Sequence, residues 1–246
     1  MKQHTVLYEV KDQTAWITLN RPEVKNALNK EMHEELYDCF QEASQDHEVK
    51  VIILQGSGDA FCAGADLKSV SSDSAESFDY GDYLQDTYNR LIVLIDSISK
   101  PVIAYLNGVT VGAGLSIALA CDYRIADSRA KLALSFLKIG LVPDAGASYF
   151  LPRLVGLGKA MELMLGQTVS AEEAFRINLI TAIGNPAEYA ERLASIPPAA
   201  YGLAKQNMKQ GFEHSLSEVL DMEVSAQREA GQSQEHKDAL LRFLKK

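Results

Sequence analysis

The sequence predicts an α/β protein that ends in helices. Strand-like apolar runs and helix-period segments alternate through about residue 190. Beyond that point three consecutive segments, about 198–212, 215–229 and 234–244, carry only helical patterning. The chain therefore divides into a core over residues 1–190 and a helical region over 191–246.

The elements follow in order. Residues 5–10 and 14–20 alternate apolar and polar side chains around Lys11-Asp12-Gln13, the pattern of a β-hairpin. Pro22 ends that pattern. Asn29 has the chemistry of a helix N-cap, and Met32, Leu36, Cys39, Phe40 and Ala43 recur after it at helical spacing. Residues 49–55 form a short continuous apolar run, the signature of a buried strand. Residues 56–66 are rich in glycine and alanine and read as loop. Residues 69–78 are rich in Ser, Asp and Glu and read as a mobile loop. A helix follows with Tyr80, Tyr83, Leu84, Tyr88, Leu91, Ile92 and Ile95 on one face. The tyrosines of that stripe suit a pocket wall or core better than an acid. Residues 101–106 are a strand, 114–120 a buried helix, 123–126 another strand, and 158–165 and 171–177 helices.

Bulk composition excludes several functions. The 246 residues carry a net charge of −9, with 47% hydrophobic and 23% charged side chains. That acidity argues against non-specific binding to nucleic acid or to anionic membranes. No apolar run is long enough to span a bilayer, and the N-terminus lacks an apolar signal core. Cys39, Cys62 and Cys121 have no metal-binding spacing and suit reduced thiols in a cytoplasmic protein. His4, His33, His47, His214 and His236 fall in segments expected at the surface or the termini, and none is assigned to a metal or a catalytic triad.

Two segments carry the chemistry. Ala60-Phe-Cys-Ala-Gly-Ala-Asp-Leu-Lys68 follows a buried strand with small residues that let backbone approach a ligand. Gly112-Ala-Gly114 opens a buried helix, whose first N–H groups lack intrahelical partners and lie at the positive end of the dipole. Either segment alone reads equally as close packing. Together, in this order and followed by Cys121-Asp122, they resemble the paired oxyanion-hole motifs of the crotonase (enoyl-CoA hydratase/isomerase) family. Asn20-Arg-Pro and Asn26-Ala-Leu28 resemble that family's N-terminal coenzyme A motif. Leu141-Val-Pro-Asp-Ala-Gly-Ala-Ser148, with Leu151-Pro-Arg153 and Gly156, resembles its third block.

The resemblance implies a superhelix of ββα units with a helical C-terminal region that serves trimerisation or acts as a lid. It implies a homotrimer or a dimer of trimers. It also implies an acyl-CoA thioester substrate, with coenzyme A as part of the substrate and no separate cofactor or metal. The N–H groups of Ala65 and Ala113 would form the oxyanion hole. Lys25, Ala27, Ala63, Asp66 and Leu67 would line the adenine and pantetheine path, and Gly64, Gly112, Ser116 and Phe136 would join them in binding the substrate or its coenzyme A. In hydratases of the family, glutamates occupy the positions of Ser116 and Phe136. This chain has neither, and keeps a carboxylate at Asp144. Asp144 alone also reads as a helix N-cap or an Asx-turn after Pro143.

These residues favour one reaction. Enolising a thioester needs donors at the developing oxyanion and a base within hydrogen-bond reach. Moving a double bond needs one such base, which takes a proton at one carbon and returns it at another. Hydration must also place and activate a water, which the family's hydratases do with two glutamates. A single carboxylate at Asp144 therefore points to an enoyl-CoA isomerase. A 2-enoyl-CoA hydratase, an isomerase of ring-type acyl-CoA in aromatic catabolism, an enzyme using Asp144 as nucleophile, and a non-catalytic scaffold binding acyl-CoA or a carrier protein stay open as alternatives.

Overall fold

The computed structural model describes residues 4–68 and 79–244. The expected loop over 69–78 lies outside the described residues. Strands β1 (Val6–Lys11) and β2 (Thr14–Leu19) form the expected antiparallel hairpin. Its two-residue turn uses Asp12 and Gln13 at φ 50° and 61°, the left-handed pair that matches strand twist. Lys11 belongs to the strand and not to the turn.

From β3 onward each structural turn feeds two sheets. The larger has the order β1-β2-β3-β5-β7-β10, parallel throughout except for the opening hairpin. It contains β3 (Val51–Gly56), β5 (Val102–Leu106), β7 (Tyr123–Ala126) and β10 (Ala182–Ile183). The smaller has the order β4-β6-β8-β9, from β4 (Ala60–Cys62), β6 (Val109–Val111), β8 (Lys131–Ala133) and β9 (Val169–Ser170). Strands β3, β5 and β7 in one sheet are thus followed by β4, β6 and β8 in the other, and helices close each unit. This is the α/β superhelix of ββα units. It corrects the reading of 56–66 as loop throughout, since β4 lies inside it.

The helices are α1 (Lys30–Gln45), α2 (Tyr80–Leu84), α3 (Arg90–Ser97), α4 (Ala113–Ala120), α5 (Ala147–Val155), α6 (Leu157–Leu163), α7 (Ala171–Arg176), α8 (Pro186–Ala194), α9 (Pro198–Gln210), α10 (Leu216–Gln232) and α11 (Gln234–Leu244). Asn29 caps α1 by accepting the Met32 N–H at 3.0 Å. Met32, Leu36, Phe40 and Ala43 are fully buried on its inner face. His33 is buried with them at 3% exposure, which corrects its expected surface position. Residues 33, 36, 40 and 43 share one helical stripe, so the ring enters the core with its neighbours.

Strand β3 is buried on both faces, as parallel strands covered by helices must be. Ile52 and Leu54 face the main core, and Val51 and Ile53 face a smaller cluster with Ile103, Ile125, Ala190 and Leu193. Helix α8, which spans residue 190, supplies the last two of these. All eight residues of α4 are buried. Gly114 makes that possible: a Cβ there would meet the Cys62 Cβ at 2.6 Å, so the helix lies directly on β4.

Asn107 ties the sheets together where β5 ends. Its Oδ1 accepts the Gly56 N–H at 3.0 Å while its Nδ2 donates to the Gly56 carbonyl at 2.8 Å and the Gly58 carbonyl at 3.1 Å. Helix α9 is fastened to the core by Lys205, whose Nζ lies 2.7 Å from Asp122 Oδ2. Among the described residues no helix is long and apolar enough to cross a membrane.

Candidate active site

The loop after β4 is held from behind. The Ala63 N–H donates to the Lys25 carbonyl at 2.9 Å, the Leu28 N–H to the Gly64 carbonyl at 2.8 Å, and the Asp66 N–H to the Leu28 carbonyl at 2.8 Å. Residues 25–28 therefore act as a short partner strand. They are fixed in turn by Asn26, fully buried at φ 56°, whose Nδ2 donates to the Ser57 and Ala60 carbonyls, each at 2.9 Å. Arg21 completes the brace. Its Nη1 lies 2.9 Å from Asp66 Oδ2 and donates to the Ala27 carbonyl at 2.6 Å.

That brace presses the loop against the start of α4. Gly64 sits at φ 96°, where a Cβ would lie 3.1 Å from the Val111 carbonyl and 3.7 Å from the Ala113 nitrogen. Gly112 precedes the helix at φ 54° with no side-chain cap. Among the described residues neither the Ala65 N–H nor the Ala113 N–H donates to another group. Two open backbone donors therefore come from two adjoining segments.

A cavity of about 440 Å³ opens in front of them. Ala63, Gly64, Ala65 and Leu67 line it from the first loop, and Gly112 and Ala113 from the second. Tyr83 and Tyr88 form one wall, Phe136 another, and Asp144 its charged group. Eight of the residues singled out from the sequence thus meet at one cavity, and Lys25, Ala27, Asp66 and Ser116 are not among those lining it. Lys25 and Ala27 support the loop through their carbonyls, and Asp66 turns to Arg21. Ser116 is fully buried, with its hydroxyl donating to the Gly112 carbonyl at 3.3 Å.

Asp144 does not cap a helix. The cap of α5 is Gly146, without a side-chain bond, and the turn is closed by the Ala147 N–H donating to the Asp144 carbonyl at 3.0 Å. Ala145 and Gly146 follow at φ 47° and 79°, a kink that leaves the carboxyl free of the helix. Its Oδ1 is buried and has no hydrogen-bond partner among the described residues. Burial pushes the carboxyl up to about 6, against the smaller opposing pull of its own backbone N–H.

Tyr88 lies in the wall and core as its stripe predicts, but the turn that carries it and the histidine behind it escape sequence reasoning. The stretch Gln85–Asn89 between α2 and α3 is a π-helical turn that buries Thr87 and Tyr88. His33 packs edge-on against Tyr88 with ring centroids 4.1 Å apart at 72°. Burial pushes the imidazole down to about 4, so it is neutral at physiological pH. The His33 stripe with Leu36 and Phe40 was the available signal. Nothing in the local pattern announces a π-turn.

The family profile described as Enoyl-CoA hydratase/isomerase matches residues 9–246. The chain belongs to the enoyl-CoA hydratase/isomerase, or crotonase, family. Among this crotonase's relatives, a 1,2-epoxyphenylacetyl-CoA isomerase of Escherichia coli is 36% identical, over 98% of this chain and 95% of that protein. A short-chain-enoyl-CoA hydratase of Clostridium acetobutylicum is 34% identical, over 100% and 97%. The crystal structure of an enoyl-CoA hydratase from Bacillus anthracis superposes with a TM-score of 0.92 at 31% identity, covering 98% of this chain and 96% of that one. The crotonase chain is therefore an acyl-CoA-binding enzyme of the hydratase/isomerase type.

Proposed function

We propose that the protein is an enoyl-CoA isomerase that moves a double bond with Asp144 as its single acid/base. The observation that carries this reading is the Asp144 carboxyl, whose buried Oδ1 has no partner among the described residues, on the cavity that Ala65 and Ala113 also line. It is the one carboxylate among the described lining residues. The thioester oxygen takes the Ala65 and Ala113 N–H groups and gains charge as the enolate forms. Asp144 removes a proton from C2 of a 3-enoyl thioester and returns it at C4. A carboxyl poised near 6 suits both halves of that exchange, being basic enough to take the proton and acidic enough to release it. Phe136 and the buried Ser116 offer no second carboxylate with which to activate water.

Coenzyme A is the handle of the substrate and no further cofactor takes part. Residues 191–246 serve assembly into a trimer or a dimer of trimers. Met208, Phe212, Leu216, Phe243 and Leu244 in this region are each at least 67% exposed in the single chain, an apolar surface that a partner subunit would cover.

A second reading, a ring-bearing acyl group, is favoured by the aromatic walls Tyr83, Tyr88 and Phe136 and by the likeness to the Escherichia coli isomerase. The deciding experiment mixes purified enzyme with a 3-enoyl-CoA and follows ultraviolet absorbance of the conjugated 2-enoyl thioester, with Asp144→Asn in parallel. Conjugation by wild type that disappears in the variant supports isomerisation through Asp144. Loss of absorbance from a 2-enoyl-CoA, with no action on the 3-enoyl isomer, would make the enzyme a hydratase.

A further inference from the structure

The cavity wall is largely apolar, yet polar atoms with nothing to bond lie buried beside it. Among the described residues the Tyr88 hydroxyl and Asp144 Oδ1, both buried, have no partner, and both residues line the same cavity. Behind Tyr88 the His33 ring fills the core, and neither of its nitrogens has a partner among the described residues. An unpaired buried polar atom carries a desolvation cost that phenylalanine at position 88 would avoid. The chain also departs from a regular helix at this point, since the π-turn Gln85–Asn89 carries Tyr88 into its buried place. Such turns interrupt regular helix bonding and occur frequently at functional sites. The Tyr88 phenol is raised well above its ordinary range, chiefly by burial, so it stays a neutral donor.

The two open groups select their ligand. A phenol donates one hydrogen bond, and an ionised carboxylate only accepts. A hydroxyl has the chemistry for both, since it can accept from a phenol and donate to a carboxylate oxygen. An ether or carbonyl oxygen would serve Tyr88 while setting another acceptor against the carboxylate. An alkyl group serves neither. We propose that Tyr88 is a specificity-determining residue of this cavity and that, with Asp144, it binds a hydroxyl carried by the acyl chain of the substrate. This rests on the reading of the cavity as an acyl-thioester site, and it extends that reading to the substituent the acyl group carries. His33 acts as a positioning residue that holds the Tyr88 ring by its edge.

The test is isothermal titration at pH 8 of wild type and Tyr88→Phe with butyryl-CoA, 3-hydroxybutyryl-CoA and 4-hydroxybutyryl-CoA. The expected result is that at least one hydroxyacyl ester binds wild type ~10-fold or more tightly than butyryl-CoA, since a site built for a hydroxyl discriminates strongly against its absence. In Tyr88→Phe that ratio falls to within about 3-fold. Equal affinity of wild type for all three esters would overturn the proposal alone, because the hydroxyl partner would then be only water. A preference that survives intact in Tyr88→Phe would overturn the role of Tyr88. Failure of all three to bind would overturn both the proposal and the acyl-thioester reading beneath it. The wild-type ratio is read without any variant, so a poorly folded Tyr88→Phe would not shield the proposal.

Discussion

Lys205 of α9 and Asp122, at the entry to β7, form an ion pair at 2.7 Å in which the two side chains are 8% and 9% exposed. Asp122 Oδ2 also accepts the Val102 N–H at 2.9 Å. One carboxylate thus joins a central strand to the C-terminal helices. Burial lowers the lysine from its usual range, while Asp122 opposes that shift. Removing one partner of such a pair leaves a buried charge uncompensated, which costs about 3–5 kcal/mol. Lys205→Met should lower the urea midpoint accordingly, whereas Lys205→Met combined with Asp122→Asn should lose less than the sum of the two single changes. Equilibrium denaturation of the three variants checks this.

Asp144→Asn should reduce double-bond migration by at least ~100-fold, the usual contribution of a positioned acid/base. In wild type the ionised carboxylate is the base, so kcat/KM with a 3-enoyl-CoA should rise with pH through about 6 and then level. A rate independent of pH between 4 and 8 would remove Asp144 from the chemistry.

Two buried groups give the stability profile opposing slopes. The folded Asp144 carboxyl is raised to about 6, so its ionisation opposes folding, and stability from this group is lost as pH rises from its unfolded value toward 6. His33 is lowered to about 4, so stability from this group is complete above its ordinary 6.5 and is lost as pH falls from there toward 4. Asp144→Asn should therefore raise the melting temperature at pH 8 by ~2–4 °C and lose that advantage below about pH 4. His33→Leu should flatten the acid limb. Thermal melts at half-unit pH intervals distinguish the two.

Gly114→Ala should destabilise the protein by about 1–3 kcal/mol. The added methyl would meet Cys62 Cβ at 2.6 Å, its Sγ at 2.7 Å and its carbonyl at 2.8 Å, so α4 must retreat from β4. Because Ala113 begins that helix and Cys62 precedes Ala63, the two backbone donors would separate as well. The variant should lose catalytic rate beyond its loss of stability, read as kcat at a temperature where it remains folded.

Tyr88→Phe should move stability the other way, upward by about 1 kcal/mol or more, because it deletes a buried hydroxyl that has no partner among the described residues. A gain in melting temperature beside a loss of hydroxyacyl discrimination is the expected combination, since functional polar groups commonly burden the unliganded fold.

Much of this architecture is legible in the residues because long elements leave long patterns. The alternation on either side of Asp12 and Gln13 predicts the hairpin, and Asn29 marks the start of α1. The continuous apolar stretch around Ile52 predicts a strand covered on both faces. The second sheet escapes because β4, β6 and β8 have three residues each and β9 has two, too few for a period to register. At the site, the glycines and alanines at 63–65 and 112–114 announce close backbone approach, which is local information. The burial of His33 beneath Tyr88 depends on α1 meeting the helix after residue 80, which no window of sequence contains. The brace from Arg21 and Asn26 onto Asp66 and Ala60 is likewise a meeting of distant segments.

Asn107 precedes Gly108, the dipeptide in which an asparagine amide is most readily attacked by the next backbone nitrogen, losing ammonia to become aspartate. Here both ends of the amide are engaged by Gly56, with further donation to Gly58. Gly108 itself is pressed so closely on Asp59 that a Cβ would lie 1.9 Å from the Asp59 carbonyl. The carboxamide cannot swing toward the Gly108 nitrogen while these contacts last. Chemical ageing at this bond is therefore gated by unfolding. An aspartate formed in an unfolded molecule would direct a negative charge at the carbonyls of Gly56 and Gly58, opposing its return to the native state. Old chains damaged here would drop out of the folded population instead of persisting as altered enzyme.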